Sequence, residues 1–174
     1  MELAHSLDIG SLEVVLEDVA LPMGLIVNAI TLSANSVHLE QKPFKVEVPQ
    51  PGSLVAMILA DNLARFLDKE APGGLRDFKV DLKEGKIYIQ ASIMIMKAAA
   101  VCTLRIVERT KLFVELESVD VMGVGAKNMV QSQLEKINPV IDAGDLPVPA
   151  ELTHFEIGEG KLILYGSVSP PVNP

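Results

Sequence analysis

The sequence contains few of the residues that usually carry recognition or chemistry. Aromatic residues make up only 4% of the chain and tryptophan is absent, which argues against a surface that stacks on nucleobases. A single cysteine, Cys102, excludes an intrachain disulfide and a cysteine-based metal site. No segment reaches the ~20 consecutive apolar residues that a membrane-spanning helix needs. The core must therefore consist mainly of aliphatic side chains, in a chain that is 49% hydrophobic.

The charge of the chain also excludes one class of partner. The formal net charge is −8, whereas nucleic-acid binding requires clustered Lys and Arg. Only the segment 51–100 is nearly neutral in charge, with seven basic and six acidic side chains. We therefore expect no nucleic-acid partner and no permanent docking on an anionic membrane. Transient membrane contact and oligomerisation are left open.

Side chains with metal-binding or catalytic spacing are not found. His5, His38 and His154 lie in separate predicted elements, whereas a metal site needs several convergent ligands. No Gly-x-Ser-x-Gly elbow occurs. The motif Gly123-Val124-Gly125 lacks the third glycine of a dinucleotide-binding turn, because that position holds Asn128. We predict no catalytic residue, no metal, no cofactor and no enzymatic activity.

The first third of the chain alternates in hydrophobicity and then changes period. Alternation and turn residues predict strands over residues 11–20, 25–32, 37–41 and 44–48. Ala34-Asn35-Ser36 is predicted to be a turn. From Leu54 to Leu67 the apolar residues fall at helical spacing, with Ser53 as the predicted N-cap. Asn62 lies within the apolar stripe, either as an edge residue that reaches water or as a polar anchor in an apolar pocket.

The rest of the chain is predicted to contain three hairpins and a second helix. The hairpins cover residues 76–97, 100–122 and 152–168, and the helix covers residues 126–137. In the first hairpin, the return strand is expected to run from Lys86 to Lys97. Residues 93–96 of this strand are apolar on both faces. Both faces must therefore be covered, by protein or by a ligand.

Two of the hairpins have similar sequences. Glu84-Gly85-Lys86-Ile87-Tyr88-Ile89 resembles Glu159-Gly160-Lys161-Leu162-Ile163-Leu164, at an offset of 75 residues (160 − 85 = 75). The offset keeps the same residues on the inner face of each hairpin. We interpret this as a helix–loop–hairpin unit that is used twice, and we expect positive φ at Gly85 and Gly160. The alternative is two unrelated hairpins that share a turn type.

These elements predict the organisation of the chain. We expect an α+β fold in which a long twisted antiparallel sheet wraps around two amphipathic helices. The chain is expected to form a single domain, residues 1–174. Its predicted parts are a β-rich opening (10–48), a helix–hairpin unit (53–97), a strand pair (100–122), a second helix–hairpin unit (124–168) and a tail (169–174).

Several patterns in this order resemble a known family. They are the helical Leu/Ala/Asn pattern from Ser53 to Phe66, the hairpin pattern Phe78-x-Val80-x-Leu82-x-x-Gly85-Lys86-Ile87, the segment Leu146-Pro147-Val148-Pro149 and the closing pattern Phe155-x-Ile157-x-x-Gly160-Lys161-Leu162. Over residues 10–168 the chain resembles the LmeA-like phospholipid-binding family, which is related to the tubular lipid-binding (TULIP) superfamily. The resemblance implies half of a TULIP-like fold, with lipid held between a curved sheet and its helices.

The resemblance also bears on location. Members of the family are usually exported by bacteria and often carry a signal sequence. The start of this chain, Met1-Glu2-Leu3-Ala4-His5, lacks a basic region followed by an apolar region. The sequence therefore leaves the compartment open between a cytosolic protein and one whose export signal was removed.

The predicted function is binding, and possible transfer, of a phospholipid or similar amphiphile in an apolar slot between sheet and helices. The residues predicted to line the slot are Val55, Ile58, Leu59, Asn62, Leu63, Phe66, Ile93, Met94, Ile95 and Met96. The alternative is a non-enzymatic assembly module whose apolar faces meet another copy or another protein. A carrier requires a cavity of a few hundred Å³, whereas an assembly module requires a broad exposed apolar patch.

Overall fold

The computed structural model describes residues 5–41, 44–47, 49–70, 74–120, 126–146 and 150–168. The predictions for Gly123-Val124-Gly125, for Pro147-Val148-Pro149 and for the tail 169–174 lie outside these residues. Within them the chain forms two antiparallel sheets and two α-helices. The predicted α+β class is thereby confirmed.

The first sheet, sheet A, has six strands from both ends of the chain. Its strands are β1 (Ser6–Ala20), β2 (Ile26–Gln41), β3 (Phe44–Glu47), β4 (Gly52–Leu59), β10 (Glu151–Gly158) and β11 (Lys161–Val168). Their order is β1-β2-β4-β11-β10, and β3 pairs with β2. The last hairpin therefore completes a sheet that the first residues begin.

The second sheet, sheet B, comes from the middle of the chain and curls into a half-barrel. Its strands, in spatial order, are β5 (Leu75–Lys83), β6 (Lys86–Ile93), β7 (Met96–Val107), β8 (Lys111–Asp120) and β9 (Ile141–Asp142). The helices are α1 (Ala60–Glu70) and α2 (Ala126–Ile137), and a short 3₁₀ turn spans Ala143–Asp145. Both helices bury their apolar side chains in the same core as the two sheets.

The prediction that the first helix begins at Ser53 is wrong. Residues 52–59 form β4, which pairs with β2 on one side and β11 on the other, and α1 begins at Ala60. Leu54, Ala56 and Ile58 alternate as fully buried residues along this strand. An apolar run of this length fits a buried strand as well as a helix, and the hydrogen bonds of two neighbouring strands decide in favour of the strand.

Two predicted boundaries within the strands are also wrong. Residues 34–36 do not form a turn, because β2 continues through them in register with β1 and only Ser36 departs, with φ of 64°. The return strand predicted from Lys86 to Lys97 is interrupted. Met94 and Ile95 form the two-residue turn between β6 and β7. Neither residue is typical of a turn, so the sequence pattern did not indicate a turn at this position.

The two similar hairpins have the same pairing register. Val80 pairs with Ile89, and Phe155 pairs with Leu164, which are the positions that the offset of 75 superimposes. Each hairpin also has a register shift in the same place, between residues 76 and 79 in the first and between 152 and 154 in the second. A β-bulge at matching positions is a specific feature rather than a general property of hairpins, so the structure favours the repeat.

The turns of these two hairpins bind each other reciprocally. The amide of Gly85 donates to the carbonyl of Ile157 (3.3 Å), and the amide of Gly160 donates to the carbonyl of Leu82 (2.8 Å). Gly160 lies 75 residues after Gly85, and Leu82 lies 75 residues before Ile157, so the two hydrogen bonds join equivalent positions. The two hairpins are thus related by an approximate two-fold axis, and their contact joins sheet B to sheet A.

Both glycines have the predicted positive φ, 74° at Gly85 and 76° at Gly160. We expect Gly160→Val to lower the stability of the protein by about 1–2 kcal/mol, because a Cβ is strained in the left-handed region. No atom lies within 4 Å of the position of this Cβ, so the loss would come from the backbone alone. Thermal unfolding followed by circular dichroism measures it.

The matched control is Gly158→Val, in the same hairpin. Gly158 also has open space around its Cβ position, but its φ is not in the left-handed region. This variant should be as stable as the wild type or more stable, since valine favours strands. Equal melting temperatures for the two variants would contradict the requirement for glycine at residue 160.

Candidate functional site

An apolar cleft lies between α1, α2 and the inner face of sheet B. It has two adjoining lobes of about 60 Å³ and 30 Å³. Leu67 of α1, Ile89 of β6, and Leu134 and Ile137 of α2 contribute to both lobes. The larger lobe is also lined by Leu75, Phe78, Ala100, Cys102, Val130 and Gln133. The smaller lobe is also lined by Leu63, Phe66, Val80, Ile87, Val114 and Val140.

Alternation along the strands of sheet B places these side chains together. Ile89 pairs with Val80 on one side and with Ala100 on the other, so the three residues form a row across the sheet. Cys102 pairs with Ile87 in the next such row. Because Ala100 and Cys102 are small, the larger lobe lies where β7 fills the least space.

One polar side chain borders this apolar lining, although none of its polar atoms faces the lobe. Gln133 lines the larger lobe, and its Oε1 atom is buried without a hydrogen-bond partner among the described residues. Leaving a buried acceptor unsatisfied costs about 1–3 kcal/mol. Buried polar atoms in native proteins are mostly paired, so an exception indicates a function or a missing partner.

Cys102 forms part of the floor of the cleft and is fully buried. Loss of hydration on burial, with a smaller effect from the negative charge of Glu117, raises the pKa of its thiol to about 12. The thiol is therefore neutral at physiological pH. Cys102 is thus a free cysteine that the core encloses.

The structure divides nine of the ten residues predicted to line a slot into three groups, and the tenth, Asn62, stands apart. Only Leu63 and Phe66, both on α1, line the cleft. Ile58 is fully buried in the core through β4, whereas Val55 is half-buried and Leu59 is 39% exposed on the other face of that strand. These three lie on a strand rather than on the expected helix.

The side chains of the third group that can be described are exposed to solvent. Met94 is 84% exposed, Ile95 is 99% exposed and Met96 is 48% exposed. The backbone of Ile93 ends β6, and its side chain lies outside the described residues. The protein itself therefore leaves these three side chains uncovered, and their coverage by a ligand stays a prediction.

Asn62 is buried rather than at the edge of the apolar stripe. Its Nδ2 donates to the carbonyl of Ile26 (3.2 Å) and to Oδ1 of Asn28 (2.9 Å). The same Oδ1 accepts from the amide of Leu59 (2.8 Å). Asn62 therefore fastens the first turn of α1 to β2, and Asn28 in turn holds the end of β4.

Most of the cleft was not predicted as a site. Its floor comes from β5 to β8 and one of its walls from α2. The alternation of Phe78 with Val80 and the helical spacing of Val130, Leu134 and Ile137 were visible in the sequence. No sequence signal showed that these segments face each other, because that depends on the curl of sheet B.

The histidines do not assemble a reactive centre. Nδ1 of His38 lies 2.5 Å from a carboxylate oxygen of Asp8, and this hydrogen bond raises the pKa of His38. His154 stacks on Tyr165, with ring centroids 4.3 Å apart. Among the described residues, no group of three or more His, Cys, Asp or Glu side chains is placed to hold a metal ion. In the same residues no helix has the length and hydrophobicity to span a membrane.

A curled antiparallel sheet that packs apolar side chains against two helices is consistent with a TULIP-like fold. The chain belongs to the LmeA-like phospholipid-binding family, whose model matches residues 2–167. No curated protein and no solved structure shows significant similarity to the chain. The resemblance found in the sequence is thereby confirmed, and it supports lipid binding in general.

The pKa of Cys102 leads to a test of the cleft. At pH 9 the thiolate fraction of Cys102 should be lower than that of an unperturbed cysteine by a factor of several hundred. We expect iodoacetamide to leave the folded protein unmodified and to label it rapidly in guanidinium chloride, because the thiolate is the reactive form. Intact-mass spectrometry measures the modification. Rapid labelling of the folded protein at pH 8 would show that the thiol is accessible and the cleft open.

Proposed function

We propose that the protein is a non-enzymatic carrier that holds an acyl chain of a phospholipid in the cleft between α1, α2 and sheet B. The observation that supports this proposal is the composition of the lining, in which Gln133 is the one polar residue. An acyl chain offers apolar surface and no hydrogen bonds, so this lining suits it.

The cleft must widen to admit a chain. Pockets that enclose small ligands measure ~300–1,000 Å³, whereas the two lobes measure about 60 Å³ and 30 Å³. The cleft as the structure shows it is therefore too small for an acyl chain. We infer that α2 moves, because only Leu134 and Ile137 are fully buried among its described side chains, while Lys127, Asn128 and Met129 in its first half are exposed.

The energies permit this movement. Exposing two large aliphatic side chains such as Leu134 and Ile137 costs about 3–6 kcal/mol. Each buried CH₂ group of a ligand contributes about 0.8 kcal/mol. About eight buried methylene groups are then enough to offset the free-energy cost of opening the cleft. A longer acyl chain leaves a net favourable free energy of binding, and a much shorter one does not.

Gln133 favours an amphiphile over a simple hydrocarbon. Its unpaired Oε1 atom is an acceptor, and an acyl chain has no donor to offer it. A hydroxyl or ammonium group of a phospholipid headgroup would provide one. Because Oε1 does not face the lobe, it would become available to a headgroup only when α2 moves, at the end of the larger lobe beside Gln133 and Leu75.

A matched pair of alanines on β7 provides the test. Ala100 lines the larger lobe, whereas Ala99 points to the opposite face of the same strand, into an open polar trough. We expect Ala100→Phe to fill the lobe and to reduce the retained phospholipid at least about tenfold, which corresponds to ~1.4 kcal/mol. Ala99→Phe should retain the wild-type amount. Native mass spectrometry after incubation with phosphatidylglycerol measures retention.

A second variant tests the polar atom. Gln133→Leu keeps the approximate volume of the side chain and removes the unpaired acceptor, so the empty protein should become more stable. Its affinity for phosphatidylglycerol should fall, while its affinity for an acyl chain without a headgroup should not. The proposal is wrong if wild-type protein takes up no amphiphile, or if Ala100→Phe retains as much as Ala99→Phe.

A second candidate function, an assembly module, is supported by the exposed edge of sheet A. On β1, Leu7 is 59% exposed and Val15 is 54% exposed, and β2 is the neighbour that pairs with this strand. An edge strand with apolar side chains is prone to pair with another chain. Light scattering at several protein concentrations distinguishes the two functions, since a carrier remains monomeric and an assembly module does not.

A further inference from the structure

The turn between β6 and β7, Met94-Ile95, has an unusual composition for a hairpin tip. The comparable two-residue turns of this chain, Glu84-Gly85 and Glu159-Gly160, are polar and contain glycine. Met94 has φ of 53°, as Glu84 has in the comparable turn, in a region that long side chains adopt only with strain. A glycine there would relieve the strain. Folding therefore does not account for the methionine.

Packing does not account for these side chains either. Ile95 is 99% exposed and Met94 is 84% exposed, which are the two highest values among the exposed large apolar residues. Met96, at the start of β7, is 48% exposed and extends the same patch. Two aliphatic side chains at the end of a projecting hairpin form a narrow wedge rather than a flat surface.

Two cations lie behind the wedge. Lys97 follows Met96, and Arg76 pairs with Ser92, the residue directly opposite Lys97. Both side chains are exposed. Their nearest acidic neighbours on the sheet are Asp77, which directly follows Arg76 and lies one residue further from the turn, and Asp120. Both acids line a polar trough together with Lys79 and Lys97. The charges closest to the apolar wedge are therefore positive, although the whole chain is acidic.

The spacing of these groups fits a bilayer surface. At about 3.3 Å per residue, Lys97 and Arg76 lie roughly 7–10 Å behind the turn. Amphipathic elements that bind membranes bury their apolar side chains ~5–10 Å into the boundary between headgroups and acyl chains. With the wedge at that depth, both cations would meet the phosphate groups of anionic lipids.

We propose that the Met94-Ile95 turn is a membrane anchor that inserts into bilayers containing anionic phospholipid. The anchor adjoins the cleft, because Ile93 pairs with Leu75, which lines the larger lobe. Docking would bring this end of the cleft to the lipid surface. The link between docking and the cleft rests on the proposed function, whereas the insertion of the turn into a bilayer does not.

The absence of tryptophan makes insertion directly observable. Ile95→Trp places a single tryptophan at the tip, and its emission should shift to the blue when vesicles of equal parts phosphatidylcholine and phosphatidylglycerol are added. Leu7→Trp, at an exposed apolar site on β1, should show no shift. Pure phosphatidylcholine or high salt should weaken the response of Ile95→Trp, because the attraction of Arg76 and Lys97 is then lost or screened.

A second variant separates insertion from folding. Changing Met94-Ile95 to Gly-Ser supplies residues that suit a tight turn with positive φ at its first position, so the melting temperature should not fall. Binding to the mixed vesicles, measured by flotation, should nevertheless fall at least about tenfold, because two apolar side chains no longer leave water.

Three results would overturn the proposal. The first is that the emission of Ile95→Trp does not respond to vesicles, or responds no more than that of Leu7→Trp. The second is that the Gly-Ser variant floats as well as the wild type. The third is that the Gly-Ser change converts an oligomer into a monomer, which would show that the wedge contacts a second copy. Retention of phosphatidylglycerol by the Gly-Ser variant is measured separately. Whether the variant retains phosphatidylglycerol tests the proposed cleft and does not test the membrane anchor.

Discussion

The fold depends on the reciprocal contact between two hairpin turns. The hydrogen bonds from Gly85 to Ile157 and from Gly160 to Leu82 join the two sheets at one point. The amide of Ala60, the first residue of α1, donates to the carbonyl of Gly160 (3.0 Å) at the same junction. A change in either turn would therefore alter how the sheets meet and where α1 begins. This explains why both glycines need φ values that other residues adopt only with strain.

The cleft follows from that junction. Once sheet B is fixed against sheet A, its curl turns one face of β5 to β8 inward. The network of Asn28, Asn62 and Leu59 holds α1 above this face from the side of sheet A. On the other side, Nδ2 of Asn138, just after α2, donates to the carbonyl of Val114 on β8 (2.8 Å), and its Oδ1 accepts from the amide of that residue (2.9 Å). Each helix is thus fastened at one end by an asparagine.

The sequence predicted the parts of the structure that depend on local chemistry. The turn at Gly85 and the repeat of its hairpin were recognisable because glycine and alternating apolar residues leave a direct pattern. The strand at 52–59 was mistaken for a helix because its apolar run satisfies both periods. The turn at Met94 was missed for the opposite reason, since a turn without turn residues leaves no signal. The cleft required contacts between segments far apart in sequence, which no local pattern contains.

The composition of the wedge is consistent with docking that is brief rather than permanent. Burying Met94 and Ile95 would contribute at most about 3–6 kcal/mol, and each of Arg76 and Lys97 about 1 kcal/mol near an anionic surface. The loss of free motion on docking removes several kcal/mol of this sum. The net charge of −8 repels an anionic bilayer, but screening limits that repulsion to charges within about 10 Å of the surface. The charges nearest the turn are those of Arg76 and Lys97, so the local attraction opposes that repulsion where the turn enters the bilayer. Attachment of this strength suits the proposed carrier, because a carrier must leave the membrane once its cleft is filled.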